Sequence, residues 1–248
     1  MVPVPELTVT EAVVLAGGLG TRMGSAAGDV PKVLAPVGGA PFLRFLLDSL
    51  DRCGMIRTAV IAVGHRGGEV EAWVRASAPR WRFEPRFTHE ERLLGTGGGL
   101  RLALEVLSGE ATLVLNGDSF CAYDPEALEG VLDDGASLAL TACRVPDASR
   151  FGTLELGSSG EVLGFLEKGR SGPGWINAGA YALRRADFLA DTPAGQAFSL
   201  ERDLLPRWVA HGRVAATPLE GDGFLDIGEP AAYAAAPEFL RRRGLLDA

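Results

Sequence analysis

The sequence predicts a single α/β domain with a mostly parallel mixed central sheet flanked by helices. Two observations carry that expectation. Strand patterns alternate with helical patterns through the first half, as right-handed β-α crossovers require. The first apolar run, residues 12–16, shows no polar alternation and ends in glycines. A parallel strand covered on both faces has that pattern.

The elements follow in order. Residues 41–53 place Phe42, Phe45, Leu46 and Leu50 at helical spacing, and Gly54 stops the helix. Residues 58–63 read as a second buried strand, 69–76 as a helix and 81–87 as extended chain. Residues 95–107 open with glycines and continue as a helix through Leu100, Leu104 and Leu107. Residues 111–116 form a strong strand pattern. Residues 125–132 fit a helix with Asp124 as N-cap and Pro125 in the first position. Residues 137–145 are a further strand.

The second half changes character. Residues 152–156 and 162–167 are short strands joined by a hairpin turn at 157–160. Residues 175–183 are a strand and 199–210 a helix, where Arg202 stands in place of the Glu of a full capping box. Short strands at 214–218 and 224–227 precede a closing helix at 230–242. No repeat or linker-like segment interrupts the chain, so residues 1–248 are expected to form one domain.

Composition narrows the function. The chain has 248 residues, 47% hydrophobic and 23% charged, which are globular values. Glycine, at 33 residues, exceeds the average of about 7% and gathers in turns that can build a site. A net charge of −8 argues against nucleic acid and anionic membranes as partners. No secretory signal is visible, and no apolar stretch approaches the roughly 20 residues of a membrane span. Cys53, Cys121 and Cys143 lack metal-ligand spacing and read as reduced, mostly buried thiols of a cytoplasmic protein. His65, His89 and His211 are dispersed and carry no motif.

The segment after the first strand concentrates the chemistry. Ala16, Gly17, Gly18 and Gly20 form a turn whose N–H groups can face an anion without an intervening Cβ. Thr21 and Arg22 follow at once, and Pro31-Lys32 comes ten positions after Arg22. The spacing fits neither a Walker A loop nor a G-x-G-x-x-G dinucleotide fingerprint. Asp118, in L-V-L-N-G-D-S, follows a strong strand, where an open parallel sheet collects its ligands. Asp226, in G-F-L-D-I-G, stands in a similar setting.

The pattern G-G-x-G-T-R-[LM]-x₇-P-K resembles the signature loop of the sugar-1-phosphate nucleotidylyltransferases, and the resemblance extends from about residue 11 to about residue 235. It implies a Rossmann-like nucleotidyltransferase fold with a nucleotide-binding half at about 11–120 and a sugar-phosphate-binding half at about 121–235. The implied partners are a nucleoside triphosphate and a sugar 1-phosphate. Arg22 and Lys32 would be catalytic. Asp118 and Asp226 would hold Mg²⁺, which favours carboxylate and phosphate oxygens. Ala16, Gly17, Gly18, Gly20, Thr21, Glu90, Gly95 and Thr96 would bind nucleotide. Gly152, Glu167, Lys168 and Asn177 would meet the sugar phosphate. Ser199-Leu-Glu201 also matches, with a structural role expected.

Glu90 stands where thymidylyl- and uridylyltransferase relatives usually carry glutamine. A carboxylate only accepts hydrogen bonds, which suits the N1–H and N2–H₂ donors of guanine. The whole pattern looks closest to the short heptose-1-phosphate guanylyltransferases. Mannose-1-phosphate guanylyltransferases, other hexose-1-phosphate nucleotidylyltransferases and a non-catalytic regulatory paralogue are the alternatives.

Overall fold

The structure is a computed structural model in which residues 7–18, 29–166 and 171–246 are described. Gly20, Thr21, Arg22, Glu167 and Lys168 lie outside the described residues. The front of the sheet is parallel. Strand β1 (Glu11–Ala16) pairs on one side with β4 (Thr58–Val63), which pairs with β5 (Glu84–His89), and on the other side with β6 (Ala111–Asn116). Two two-residue strands, β2 (Pro36–Val37) and β3 (Ala40–Pro41), pair with each other beside it.

The helices of this half are α1 (Phe42–Cys53), α2 (Gly67–Ser77), α3 (Gly95–Glu105) and α4 (Pro125–Asp133). Helix α1 ends at Gly54 with φ 72°, a left-handed cap that glycine adopts without strain. Asp124 caps α4 as expected, its carboxylate accepting from the N–H groups of Glu126 and Ala127. A cap of this kind contributes about 1 kcal/mol.

The back half joins the same sheet through β11 (Gly174–Arg184). One edge of β11 runs antiparallel to β8 (Leu138–Val145), which pairs in parallel with β12 (Val214–Leu219). Its other edge pairs antiparallel with β6 and then with β9 (Thr153–Leu156), which carries β10 (Val162–Leu166). The register of β11 on β8 shifts between Asn177 and Tyr181. A separate ribbon pairs β7 (Ser119–Cys121) with β13 (Phe224–Asp226).

Apolar packing covers both faces of the sheet. Ala12 and Val14 of β1 face a cluster with Phe42, Leu46, Val70 and Leu128. Val13 faces the opposite cluster with Leu100, Leu104 and Trp208. This second cluster is closed by α5 (Arg185–Asp191) and α6 (Leu205–Ala210), while α7 (Pro230–Arg242) closes the first. The result is three layers, helix on sheet on helix.

β2, β3, β7 and α5 were not expected, and two expected elements differ in form. The extended segment begins later, at Glu84, because Trp81 and Phe83 are buried and stacked at 5.7 Å. The Trp81 indole also donates to Asp48 at 2.7 Å, which ties the residue to α1 rather than to the sheet. The helix at 199–210 opens with a wide π turn, Leu200–Leu204, before the α-helical part. Ser199 caps the turn by accepting from the Arg202 N–H.

Strand β5 forms one edge of the sheet. The N–H of Glu84 donates to Arg57 C=O, and that of Glu90, just past the strand, to Val63 C=O. Residues 84, 86 and 88 therefore turn their backbone groups toward β4, and residues 85, 87 and 89 turn theirs outward.

Candidate active site

The strand order places β1 between β4 and β6, with the chain crossing to opposite sides after β1 and after β5. Such a switch point opens a crevice at the carboxyl ends of the strands. A cleft of about 610 Å³ lies there, within the usual size for a small-molecule site. Among the described residues, every side chain assigned to the site from the sequence lines it: Ala16, Gly17 and Gly18, then Lys32, Glu90, Gly95 and Thr96, then Asp118, Gly152, Asn177 and Asp226.

Close backbone approach shapes the end of the cleft that follows β1. A Cβ on Gly64 would sit 2.7 Å from the Gly17 carbonyl oxygen, and one on Gly117 2.5 Å from that of Leu15. The Gly117 N–H donates to Leu15 C=O at 2.9 Å, so the ends of β1 and β6 are stitched together above the crevice. Glu90 follows β5 and turns into the cleft. Its Oε2 accepts from the Leu94 N–H at 2.8 Å, and its Oε1 lies against Gly17 and Gly99, where side chains would collide with it. Burial pushes the Glu90 carboxyl above its ordinary value, and the Leu94 N–H partly offsets that rise.

Gly95 opens α3 with φ 71°, and its Cα faces the Phe198 carbonyl so closely that a Cβ would lie 2.6 Å from the oxygen. The Thr96 hydroxyl donates to Glu201 Oε2 at 2.7 Å and accepts from the Leu200 N–H at 2.9 Å. The Thr96 side chain is thus committed largely to the segment at 199–204.

Two aspartates distant in sequence meet through the β7–β13 ribbon. Asp226 pairs with Ser119, and the next N–H, of Ile227, donates to the Asp118 carbonyl at 3.0 Å. Asp226 Oδ1 accepts from the Gly228 N–H at 2.6 Å. Asp118 Oδ2 forms an ion pair with Lys32 Nζ at 2.7 Å, across 86 positions of sequence. The lysine side chain is 10% exposed and the aspartate 40%, so the carboxylate presents the open face. Among the described residues, no group of three or more His, Cys, Asp or Glu is placed to hold a metal ion. Two hard carboxylates fit a cation that takes its remaining ligands from phosphate and water.

The register shift in β11 shapes the end of the cleft where Asn177 and Gly152 stand. It contains Gly179 at φ 73°, and the Gly179 N–H donates to Asn177 Oδ1 at 3.1 Å. Irregular pairing of this kind re-aims a side chain at a site. Asn177 Nδ2 donates to the Tyr181 hydroxyl at 2.8 Å, and the Asn177 N–H donates to Gly152 C=O at 3.1 Å. Burial raises Tyr181 well above its ordinary value, so it stays a neutral hydroxyl.

Sequence reasoning missed several cleft residues. Phe151 and Phe224 meet edge to face at 5.4 Å on its wall, and Arg150 pairs with Glu229 at its rim. Asn116 also lines it, and its buried Oδ1 has no partner among the described residues. Ser199 and Glu201 reach the cleft as well, although their segment was expected to be structural. Asn116, Phe224, Ser199 and Glu201 lie in segments that the sequence already marked, but only strand and turn geometry shows that their own side chains reach the cleft.

Comparison with known proteins agrees with this geometry. Residues 11–243 match the Nucleotidyl transferase family. The chain is 31% identical to D-glycero-alpha-D-manno-heptose 1-phosphate guanylyltransferase of Campylobacter jejuni, covering 90% of this chain and 96% of that protein. It is 33% identical to mannose-1-phosphate guanylyltransferase of Mycobacterium tuberculosis, covering 82% of this chain and 56% of that one. The crystal structure of HddC from Yersinia pseudotuberculosis, complexed with GMP-PN, superposes with a TM-score of 0.80 at 31% identity, covering 93% of this chain and 99% of that chain. With the fold, the crevice and these likenesses in agreement, the chain belongs to the nucleotidyl transferase family.

Proposed function

We propose that this protein joins GTP to D-glycero-α-D-manno-heptose 1-phosphate, releasing pyrophosphate and giving a GDP-heptose. The observation that carries the base assignment is Glu90. It is a carboxylate at the nucleotide end of the cleft, anchored by one oxygen to the Leu94 N–H, with the other against Gly17 and Gly99. An acceptor-only group suits the adjacent N–H donors of guanine. The heptose assignment rests on the similarity to the Campylobacter enzyme over nearly the full length of both chains.

In the proposed reaction a phosphate oxygen of the sugar 1-phosphate attacks the α-phosphorus of GTP. The bond from that phosphorus to the β-bridging oxygen breaks, and the electron pair leaves with pyrophosphate. Positioning and charge stabilisation carry such chemistry. Two unit charges held 4 Å apart repel by about 4 kcal/mol at an effective dielectric of 20. Lys32 would offset this at the sugar phosphate and α-phosphate, and Arg22 at the leaving pyrophosphate. Lys168 would hold the sugar phosphate, with Glu167 and Asn177 on sugar hydroxyls and Gly152 giving close backbone approach.

The nucleotidyl transferase family generally works with a divalent metal ion. We assign Mg²⁺ to Asp118 and Asp226, whose oxygen-only donors match its preference. When bound, it supplies charge neutralisation to the triphosphate. Mannose 1-phosphate is the second reading for the sugar, favoured by the similarity to the Mycobacterium enzyme. One extra hydroxylated carbon is a small difference for a pocket to read.

Pyrophosphate release across GTP, ATP, UTP, CTP and dTTP, each with heptose, mannose and glucose 1-phosphates, tests the proposal. The highest kcat/KM is expected for GTP with the heptose. Preference for a pyrimidine nucleotide, or no release with any pair, overturns it.

A further inference from the structure

Glu201 has a geometry that its place in a packing helix does not require. Its Oε2 accepts from two hydroxyls, Thr96 at 2.7 Å and Ser199 at 3.1 Å. Each hydroxyl is itself oriented from behind. Thr96 Oγ1 accepts from the Leu200 N–H at 2.9 Å, and Ser199 Oγ accepts from the Arg202 N–H at 3.2 Å. Those backbone donors occupy hydroxyl lone pairs, so both hydroxyl protons point to the same carboxylate oxygen. One end of the carboxylate is clamped, and the residue lines the cleft.

The surroundings say what the other end can meet. Among the described residues, the bonds to Glu201 come from hydroxyls and not from a lysine or arginine, so no described cation occupies the carboxylate. It stands at the N-terminal turn of α3, where the helix dipole favours an anion. Asp118 and Asp226 are assigned to a cation that stands between them and the phosphates, whereas a carboxylate without such a cation is repelled by phosphates and suits uncharged hydroxyls of a substrate. The π turn that carries Glu201 packs Leu200 and Leu204 into the same apolar cluster as the buried Tyr181, whose hydroxyl takes the Asn177 amide. Glu201 therefore borders the floor of the sugar side rather than the phosphate path.

We propose that Glu201 is a specificity-determining residue whose Oε1 accepts hydrogen bonds from hydroxyl groups of the sugar 1-phosphate. Its partners Thr96 and Ser199 hold it in place. The role rests on the sugar-phosphate reading given above. It also gives Thr96 a second task, which is to fix the sugar-side acceptor while its own backbone serves the nucleotide side.

Glu201→Gln is the discriminating variant. Its amide oxygen can take the two committed hydroxyl protons, which turns an NH₂ donor toward the sugar in place of an acceptor. KM for the sugar 1-phosphate should rise about tenfold, the scale for losing a hydrogen bond to a charged group. KM for GTP should stay within twofold and the melting temperature within a few degrees. Glu201→Ala carries the same kinetic expectation without leaving an amide donor. With monodeoxy sugar 1-phosphates, the penalty of Glu201→Gln should vanish for the analogue lacking the contacted hydroxyl.

A sugar KM that moves less than twofold, or a GTP KM that rises equally, overturns the role. So does a penalty that vanishes with 2′-deoxy or 3′-deoxy GTP instead, which would place the hydroxyl on ribose. Turnover of the wild type alongside any of these results leaves the proposed reaction standing. Absence of wild-type turnover across the whole panel overturns the reaction and this role together.

Discussion

At the scale of single residues, Glu90 gives the site a dependence on pH. Its carboxyl in the folded protein lies above the ordinary 4.5 because half-burial penalises the charged form. The folded state therefore binds this proton more tightly than the unfolded chain does. The associated stability is fully present below 4.5 and is lost as pH rises through the raised folded value. The guanine contact proposed for Glu90 runs the other way, because the ionised carboxylate is the stronger acceptor and offers no competing proton. KM for GTP should fall as pH rises through that window, and Glu90→Gln should remove this limb. Superimposable KM profiles of the two proteins between pH 5 and about 7 would refute the assignment.

Residue identity was legible where the sequence carries chemistry in a fixed local pattern. Lys32 follows Pro31 at the start of a 3₁₀ turn, Asp118 follows Gly117 just after β6, Asp226 ends β13 two residues before Gly228, and the fold brings all three to one cleft. Glu201 was legible as part of a matching segment but not as a cleft residue. Its place in the cleft depends on Ser199 and on Thr96, 105 positions away, whose hydroxyls clamp one carboxylate oxygen.

At the scale of elements, the entry to α3 is the tightest junction in the site. Gly95 combines φ 71° with a would-be Cβ 2.6 Å from a backbone oxygen, and neither atom can swing aside as a side chain could. Gly95→Ala should cost about 1–3 kcal/mol through backbone strain. A thermal melt checks this, and an unchanged melting temperature would show that the turn is not constrained. Strands β4 and β6 and helix α7 have the bounds that their patterns predict, because long uniform periods leave little ambiguity. The two- and three-residue strands β2, β3 and β7 are too short to show a period at all. The register shift in β11 was also invisible, since Asn177-Ala178-Gly179 reads as ordinary strand until its partners are known.

Across the whole molecule, one continuous sheet joins the front and back of the described chain. Strand β11 pairs with β6 of the front and with β8 and β9 of the back, so neither half ends at a free boundary there. The sequence divides the halves by motif, but hydrogen bonding across β6 and β11 makes them one structural body. The tryptophans provide the test, with Trp73 and Trp81 in the front and Trp175 and Trp208 in the back. Single-tryptophan variants from each half should unfold at the same urea midpoint. Separate midpoints would show two units that melt independently.

The outward-facing side of β5 has a consequence beyond the single molecule. A strand from another chain approaching this edge would seek N–H donors from residues 85, 87 and 89. The first of these is Pro85, which has none, and Glu84 and Arg86 on either side carry paired opposite charges at 2.9 Å. Proline and charge are the usual guards of an exposed edge. The apolar front sheet is thereby given a stop codon of its own against templated stacking, written at the first position where a neighbouring chain could begin to add on.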